Sequence, residues 1–540
     1  MNMSKNMAKR LFASILLMLT LLFMSSIVLA ESQEHTLKAG MTKSEFTLMN
    51  PLVSPWYNPA NEFYGTTHVG LATFDTNLNP LPCLAKNWTV SSDGKSITFT
   101  TVKNATWEDG TPVTSDDVKF TYEYWSDKEL FREGETLKLY LDNVEVLDKY
   151  SGIMHLKEPY AYYFVRALFP TVYILPKHIW EKVDDPSKYD GKDAMIGCGP
   201  FIFESYDKDA DTANLKANEN YFEGKPSVDK IVWRHFRDVD SMLLSLKKGE
   251  IDVLFEYKTP TGIKAESLES EKGVKVDEGS NINLRYMIFG YKKYPLNMTK
   301  FREAVSYAID YQSLVDSVAG GYGVVPRKGL IPSASPDYKS DLPLCEYNIT
   351  KANLILDSLN FTDTDGNGIR NLGNGSDLRV TLLTSPTDSD GKRIVELLSH
   401  TLKKAGIDAE PLIPDATQAN KMVYTDRSYD LRVVSQDPYM SSLSLGTVDV
   451  VSEQYGTCDD PEYIKLYQNM MAAKDEAELK PAAYALQDYY AKEMPAIPLY
   501  WYRSIYPYRS DRFVGWIPVD GYGLTSHQSW FSIKPVEIKL

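Results

Sequence analysis

The stretch between residues 197 and 257 contains three apolar runs with the composition of strands: 201–203, 228–236 and 251–255. Between the last two runs, apolar residues recur at helical spacing, with Asp238 or Asp240 placed to cap a helix and Gly249 placed to end it. A hairpin is predicted between the first two strands. Because a helix this short needs a sheet to pack against, the pattern predicts one part of an α/β layer.

The remaining strands of that layer are predicted near the start of the mature chain and near its end, where residues 496–503 are apolar and aromatic. Strands and helices alternate between about 286 and 490, which predicts a second α/β lobe. A hairpin followed by a capped helix predicts a compact α+β insertion in the first lobe. The predicted boundaries are 1–30 for a signal peptide, 31–85, 191–285 and 491–540 for lobe I, 86–190 for the insertion and 286–490 for lobe II.

The second lobe contains the strongest amphipathic helix pattern of the chain. Phe301, Ala304, Val305 and Ala308 fall on one side of a predicted helix, which places that side in a core. The elements predicted in this lobe are helices at 301–310, 354–359, 394–405 and 481–492, and strands at 378–383 and 429–434.

The N-terminus has the pattern of a targeting segment. Lys5, Lys9 and Arg10 precede an apolar run from Leu11 to about Val28. Val28-Leu29-Ala30 is a candidate cleavage site for a signal peptidase. The mature protein is therefore expected to be exported, to a periplasm or to the outer face of the cell membrane. The run is near the lower length limit for a membrane span, so an uncleaved anchor is the alternative.

Composition narrows the choice of partners. A net charge of −15 argues against nucleic acid or an anionic membrane surface as the main partner. The 36 tyrosines and 9 tryptophans suit either large cores or a binding cleft lined with amphipathic rings.

Cysteine and histidine spacing predicts no metal cluster. The four cysteines, Cys83, Cys198, Cys345 and Cys458, are far apart, and the 7 histidines are scattered. Outside the cell, the cysteines could form two disulfides in any of three pairings, and buried free thiols are the alternative.

One loop resembles the start of a calcium-binding loop. Asp363, Asp365, Asn367 and Gly368 occupy its first, third, fifth and sixth positions, but the twelfth position holds Asn374 where glutamate is needed. A solvated loop is therefore favoured over a calcium site.

Five motifs follow one another along the chain: Trp107 to Val118 (Trp-Glu-Asp-Gly-Thr-Pro and an Asp-Val helix), Gly197 to Pro200 (Gly-Cys-Gly-Pro), Asn218 to Pro226, Lys248 to Asp252, and Phe301 to Asp310. In this order they resemble the extracellular solute-binding proteins of ABC importers, in the family 5 group that binds dipeptides, oligopeptides or nickel. Cys198 and Phe222 depart from the family pattern. The resemblance covers essentially all of residues 40–530.

The resemblance implies an α/β, two-lobed periplasmic-binding-protein-like fold (type II, cluster C) with an additional α+β subdomain inserted in the first lobe. A small peptide or similar solute is expected to bind between the lobes, which close over it by a hinge motion. An ABC permease with its ATPase subunits would recognise the closed form, and the protein would also meet the membrane through that permease. The protein is expected to be a monomer that uses no cofactor and catalyses no reaction.

The resemblance also implies which segments approach the ligand. The backbone of a first-lobe loop could pair with a peptide, and an acid in a second-lobe loop could hold the peptide's amine. The candidate ligand-binding residues are Trp56, Tyr57, Asn58, Gln436, Asp437, Tyr439, Trp501, Tyr502 and Arg503. Two alternatives stay open: Asp437 starts an ordinary Asp-Pro turn, and residues 501–503 serve core packing.

Other functions are compatible with the same fold. A nickel chelate or an oligosaccharide could replace the peptide, and a surface receptor or chaperone could use the same cleft without a transporter. A secreted hydrolase is less favoured, because the sequence contains no Gly-x-Ser-x-Gly elbow, His-Glu-x-x-His pair or catalytic cysteine signature.

Overall fold

The computed structural model describes residues 35–42, 49–52, 59–255, 267–436, 460–519 and 523–536. The predicted signal peptide lies outside these residues. The described strands are β1 Thr36–Thr42, β2 Ala72–Phe74, β3 Pro80–Pro82, β4 Ala85–Val90, β5 Ser96–Thr101, β6 Leu141–Asp148, β7 Ser151–Leu156, β8 Phe201–Asp207, β9 Thr212–Ala217, β10 Lys230–Phe236, β11 Val253–Phe255, β12 Val274–Phe289, β13 Gly323–Val324, β14 Arg379–Leu383, β15 Asp408–Leu412, β16 Leu431–Gln436, β17 Ala496–Arg509, β18 Phe513–Val514 and β19 Lys534–Pro535.

The described helices are α1 Pro59–Thr67, α2 Ser115–Asp127, α3 Phe131–Tyr140, α4 Ala161–Tyr163, α5 Lys177–Trp180, α6 Val239–Lys248, α7 Thr299–Ala308, α8 Tyr311–Ser317, α9 Ile349–Ser358, α10 Ser389–Lys403, α11 Ala416–Asn420, α12 Pro461–Met471, α13 Glu476–Glu493 and α14 Ser529–Ser532. Short π-helices, Phe164–Leu168 and Lys421–Thr425, extend α4 and α11. Within the described ranges, no helix is long and apolar enough to cross a membrane.

One large sheet runs through the molecule in the order β15-β14-β16-β12-β17-β11-β1-β10-β9-β8, with β13 beside β17. In its first-lobe half, β1 pairs in parallel with both β10 and β11, and β11 pairs with the end of β17. Strands from the start, middle and end of the chain therefore share one half of the sheet, as the sequence predicts. The other half contains β14, β15 and β16.

Two antiparallel strands, β12 and β17, cross between the two halves of the sheet, and we call them the hinge strands. One end of the pair lies beside β11, and the other end lies beside β16. β12 spans Val274–Phe289, so the predicted lobe boundary at 285/286 falls inside a strand. The predicted strand at 496–503 is part of β17, which continues to Arg509 because it, too, belongs to both halves of the sheet.

The elements predicted between residues 197 and 257 are confirmed. β8 and β9 form a hairpin, β10 follows, and α6 begins after Asp238, whose carboxylate accepts a hydrogen bond from the backbone N–H of Ser241 at 2.8 Å. The helix ends at Gly249, which has a left-handed φ of 70°. These signals are local, which is why the pattern of single residues was sufficient.

The amphipathic helix of the second lobe is α7, and it ends two residues earlier than predicted. Asp310 caps the next helix instead, because its side chain accepts a hydrogen bond from the N–H of Ser313 at 3.1 Å. The buried guanidinium of Arg302 donates to the carbonyl oxygens of Leu296, Glu493 and Met494. The arginine of this motif thus satisfies the C-terminal end of α13.

The insertion is a second, smaller layer. An antiparallel sheet in the order β4-β5-β7-β6 packs against α2 and α3. Thr114 and Asp117 form a capping box at the start of α2, which is the capped helix that the sequence predicts in the insertion. Buried aromatic residues of the insertion, among them Tyr122 and Trp125, form its core.

The Gly-Cys-Gly-Pro motif lies against the end of α1. The N–H of Gly199 donates to the carbonyl oxygen of Thr67 at 2.8 Å, and a Cβ on Gly197 would overlap that same oxygen. The two glycines therefore allow two backbone segments to approach closely.

The substitution Gly197→Ala is expected to lower the free energy of unfolding by about 1–3 kcal/mol, the cost of forcing extra volume into a packed site. Chemical denaturation followed by fluorescence measures the change. The matched control is Gly373→Ala, where a Cβ would have no atom within 4 Å. Equal effects of the two substitutions would contradict the close-approach explanation.

Cys83, Cys198 and Cys345 are buried free thiols, and Cys458 lies outside the described residues. Each of the three pairings of four cysteines requires one bond between two of the described residues. The two-disulfide hypothesis is therefore wrong for this structure, and the alternative of buried thiols agrees with it. Separation accounts for Cys345, which lies in the second-lobe core; Cys83 and Cys198 share a different core cluster, and both are free thiols in this structure.

The calcium-like loop is closed by its own hydrogen bonds. The Asp363 carboxylate accepts the backbone N–H groups of Gly366 at 2.7 Å and Gly368 at 2.9 Å. Asp365 accepts the backbone N–H of Asn367 at 3.2 Å and its side-chain amide at 3.1 Å. This arrangement fits the favoured solvated loop, and calcium binding stays a prediction.

Candidate functional site

Several predicted ligand-binding residues lie outside the described part of the chain. These are Trp56, Tyr57, Asn58, Asp437 and Tyr439. Their positions along the chain are nevertheless bounded by described elements. α1 begins at Pro59, and β16 ends at Gln436, so these segments flank the first turn of a first-lobe helix and the end of a second-lobe strand.

The end of β16 lies beside the middle of the hinge strands. The backbone of Gln436 is in register with Leu284 of β12, Leu284 with Trp501 of β17, and Trp501 with Val324 of β13. The sheet thus places the predicted residues Gln436 and Trp501 in one row. The Trp501 side chain is largely enclosed, with 7% of the residue exposed, which is consistent with the packing alternative.

Tyr502 belongs to a buried polar cluster at this point of the sheet. Its hydroxyl donates to Asp390 at 2.5 Å and contacts the Tyr500 hydroxyl at 2.8 Å. The Arg285 guanidinium forms two hydrogen bonds to Asp388, at 2.5 and 3.1 Å. Burial raises the pKa of Tyr502 to about 12, so the phenol is neutral and acts as a donor.

Sequence reasoning missed four members of this cluster: Arg285, Asp388, Asp390 and Tyr500. Asp388 had a usable signal, since it precedes α10 and caps that helix by accepting the N–H of Gly391 at 2.9 Å. Arg285 had none, because a single cation in an apolar strand looks like any solvent-facing residue. It becomes a buried charge only through pairing with a helix start more than a hundred positions away.

Arg503 faces solvent and pairs across the hinge strands. Its guanidinium lies 3.1 Å from the Glu278 carboxylate, and both side chains are about half exposed, at 43% and 53%. Its backbone N–H donates to the carbonyl oxygen of Tyr322 at 3.1 Å. Of the three predicted residues on β17, Arg503 is the one whose side chain is open to solvent.

The hinge strands lose their regular register where the two halves of the sheet meet. The pairing shifts between Glu278 and Asn281, between Asn281 and Asn283, and between Arg285 and Tyr286. Irregular pairing leaves local backbone groups outside the ladder and changes the local twist. Bending between the lobes is therefore expected here.

A second connection joins the insertion to a second-lobe helix. The buried Arg166 guanidinium lies 2.6 Å from the Glu476 carboxylate of α13, and the Tyr162 hydroxyl donates to the same carboxylate at 3.2 Å. The insertion thus contacts the second lobe away from the hinge strands, as a closed arrangement of two lobes requires.

This fold and these motifs agree with a known family of binding proteins. The family model described as bacterial extracellular solute-binding proteins, family 5 Middle, matches residues 79–445, more than half of the chain. The chain belongs to this family. The oligopeptide-binding protein AppA of Bacillus subtilis is 30% identical to this family 5 chain over 384 residues, covering 68% of the chain and 67% of AppA.

Solved structures confirm the two-lobed α/β fold class with its insertion. Bacillus subtilis AppA in complex with a nonapeptide has a TM-score of 0.75 at 22% identity and covers 92% of this chain and 99% of its own. Campylobacter jejuni NikZ with Ni(L-His) has a TM-score of 0.72 at 20% identity and covers 89% and 95%. The Thermotoga maritima oligopeptide-binding protein with mannohexaose has a TM-score of 0.71 at 21% identity and covers 93% and 99%.

Spacing along the chain predicts no metal cluster, and that stays a prediction, but three possible ligand side chains meet in the structure. One ligand atom each from Cys83, Glu223 and His527 lie within 4.8 Å of one another. Spacing along the chain could not predict this group, because Glu223 and His527 alone are 304 positions apart.

Proposed function

We propose that this family 5 protein is the extracellular solute-binding component of an ABC importer and captures a peptide-like ligand between its lobes. The observation that supports this most directly is the pair of hinge strands, which join two lobes and lose register between them. Family membership and the fold shared with AppA, whose structure contains a nonapeptide, support the ligand class.

The proposed mechanism is a shift between open and closed arrangements. A ligand with micromolar affinity supplies on the order of 8 kcal/mol. An opening equilibrium of a few kcal/mol is smaller, so a ligand that contacts both lobes would populate the closed form. A membrane permease with its ATPase subunits would then recognise that form outside the cytoplasmic membrane. The proposal includes no catalytic step.

In this proposal, the ligand contacts come from both lobes. Backbone groups of residues 56–58, just before α1, would pair with the peptide main chain as an added strand. Asp437, one residue beyond β16, would hold the peptide's amine, because a desolvated ammonium needs a carboxylate partner. The position of Gln436 in the row that contains Trp501 supports the placement of Asp437 near the hinge.

The substitution Asp437→Asn is expected to weaken peptide affinity at least tenfold, because the peptide's ammonium loses its carboxylate partner. Thermal unfolding with di- to nonapeptides measures this, since a ligand that binds only the native state raises the midpoint. The matched control is Asp426→Asn, an exposed acid before β16, which is expected to keep the full midpoint shift. A peptide shift that is equal in both variants would overturn the role of Asp437.

The same experiment addresses a second candidate ligand class. Proteins of this fold bind Ni(L-His) in NikZ and mannohexaose in the Thermotoga maritima protein. A midpoint shift with a nickel–histidine complex or a mannooligosaccharide, and none with any peptide, would replace the peptide class while leaving the transport proposal in place. Turnover of any of these compounds would overturn the proposal of a binding protein.

A further inference from the structure

Three chemically distinct metal-ligand side chains meet on the first lobe. Cys83 follows β3, Glu223 lies in the turn after β9, and His527 precedes α14. The Cys83 sulfur, a Glu223 carboxylate oxygen and a His527 ring nitrogen lie within 4.8 Å of one another. The three residues come from the start, the middle and the end of the chain, and none lies on a hinge strand.

An ordinary ion pair explains only part of this arrangement. His527 Nε2 lies 2.7 Å from Glu223 Oε2. A similar pair joins His178 and Asp109, also at 2.7 Å. The His178 pair is a surface contact without a sulfur. Among the residues that the structure describes, no other group of three metal-ligand side chains reaches the spacing of the Cys83 group.

We propose that Cys83, Glu223 and His527 form a binding site for a divalent transition metal of the zinc type. Zinc is bound in proteins by thiolate, imidazole and carboxylate, whereas magnesium and calcium prefer oxygen ligands alone. Three protein ligands of these types, with a fourth position for water, form a recurrent zinc geometry.

The distances allow a tetrahedral ion after a small adjustment. Zinc bonds of ~2.0–2.3 Å place neighbouring tetrahedral ligand atoms roughly 3.3–3.6 Å apart. The separations between the three ligand atoms, all within 4.8 Å, must therefore shrink by at most about 1.5 Å. Cys83 is buried in a core, so the adjustment falls mainly to Glu223, whose side chain is 32% exposed, since His527 is only 17% exposed and packs against aromatic rings.

The surroundings hold the imidazole and leave room for a fourth ligand. The His527 ring lies 5.4 Å from the Phe531 ring and 6.3 Å from the Tyr221 ring. The Tyr221 hydroxyl is also 3.9 Å from the Cys83 sulfur. A cavity of about 100 Å³ borders both Cys83 and His527, which is space enough for a metal-bound water.

Metal binding at this site would join three distant parts of the chain. Burial raises the pKa of the Cys83 thiol, so the thiol is protonated before the metal binds. As the metal–sulfur bond forms, that proton is released to solvent. Binding to the folded protein alone would stabilise the first lobe by mass action. None of the three residues is a proposed ligand contact, so the test of this site does not depend on the solute.

The experiment uses the mature full-length protein, stripped of metal with a chelator and titrated with Co²⁺. We expect one Co²⁺ per chain, a near-ultraviolet absorption band from the thiolate–cobalt bond, and loss of the band when Zn²⁺ displaces Co²⁺. Cys83→Ser removes the band, whereas the control Cys345→Ser, a buried thiol in the other lobe, keeps it. His527→Gln weakens Zn²⁺ binding at least tenfold in calorimetry, and the control His178→Gln leaves it unchanged.

Three results would overturn the proposal. The first is absence of the cobalt band in the unmodified protein, and the second is a band that persists in Cys83→Ser. The third is mass spectrometry that finds Cys83 in a disulfide. Circular dichroism of each variant separates loss of ligand atoms from loss of fold. Peptide-induced midpoint shifts in Cys83→Ser are expected to match those of the unmodified protein.

Discussion

The substitution Asp252→Asn is expected to lower the free energy of unfolding by about 1–3 kcal/mol, because a buried carboxylate loses its charge-assisted hydrogen bonds while Arg512, 42% exposed, can be rehydrated. Asp252 is 2% exposed and follows α6. Its carboxylate accepts a hydrogen bond from Arg512 at 2.7 Å and from the backbone N–H of Lys38 at 2.8 Å. One side chain thus connects β1, the end of the Lys248 motif and the C-terminal segment.

Urea denaturation measures the effect of Asp252→Asn, and Glu250→Gln two positions earlier is the matched control. Glu250 is an exposed carboxylate that lies 3.3 Å from Arg234, and surface pairs of this kind contribute little. We expect no measurable change in the control. If both substitutions shift the urea midpoint equally, the explanation by three-segment pairing fails.

The stability of the protein is expected to fall by about 3 kcal/mol between pH 6.5 and pH 4 because of His68 alone. Burial lowers the pKa of His68 to about 4, against an ordinary value of 6.5. The unfolded chain then binds the proton more readily than the folded one. The stability contributed by the neutral His68 ring is fully present above pH 6.5, the ordinary pKa of histidine. It is lost as the pH falls through about 4, the pKa of His68 in the folded protein, because the buried ring must then take a charge.

Unfolding free energies of the protein and of His68→Gln, measured between pH 4 and pH 7, test this expectation. The variant loses some stability at every pH, because the His68 ring contacts the Thr67 hydroxyl at 2.8 Å. Its difference from the unmodified protein should shrink as the pH falls. A constant difference for His68→Gln would contradict the buried neutral histidine.

Local signals determined which elements could be predicted. Asp238, Gly249 and the apolar face between them define α6 without help from any distant residue. By contrast, the end of α7 depends on whether Asp310 continues one helix or caps the next, and the pattern allows both. The predicted lobe boundary at 285/286 falls inside β12, which continues through both halves of the sheet, so no local pattern marks it.

The polar groups of the site depend on pairings that no local pattern contains. Arg285 is buried because α10 brings Asp388 to it, and Tyr502 is fixed because the same helix brings Asp390. Register between remote strands decides which residues meet, and register follows from the whole sheet. The motifs found in the sequence thus belong to the scaffold, whereas the polar cluster beside the hinge strands could be recognised only from the three-dimensional structure.

The strand order also determines when each lobe can be completed as the chain emerges from its N-terminus. β12, β14, β15 and β16 are close in sequence and can pair before the last strand is made. β11 must wait for β17, and Asp252 must wait for Arg512. During synthesis or translocation the first lobe therefore keeps an open sheet edge until the end, and such edges are sites of misassembly. The β12 edge of the second lobe waits for the same strand, so both halves of the sheet can engage a molecular chaperone until β17 is made.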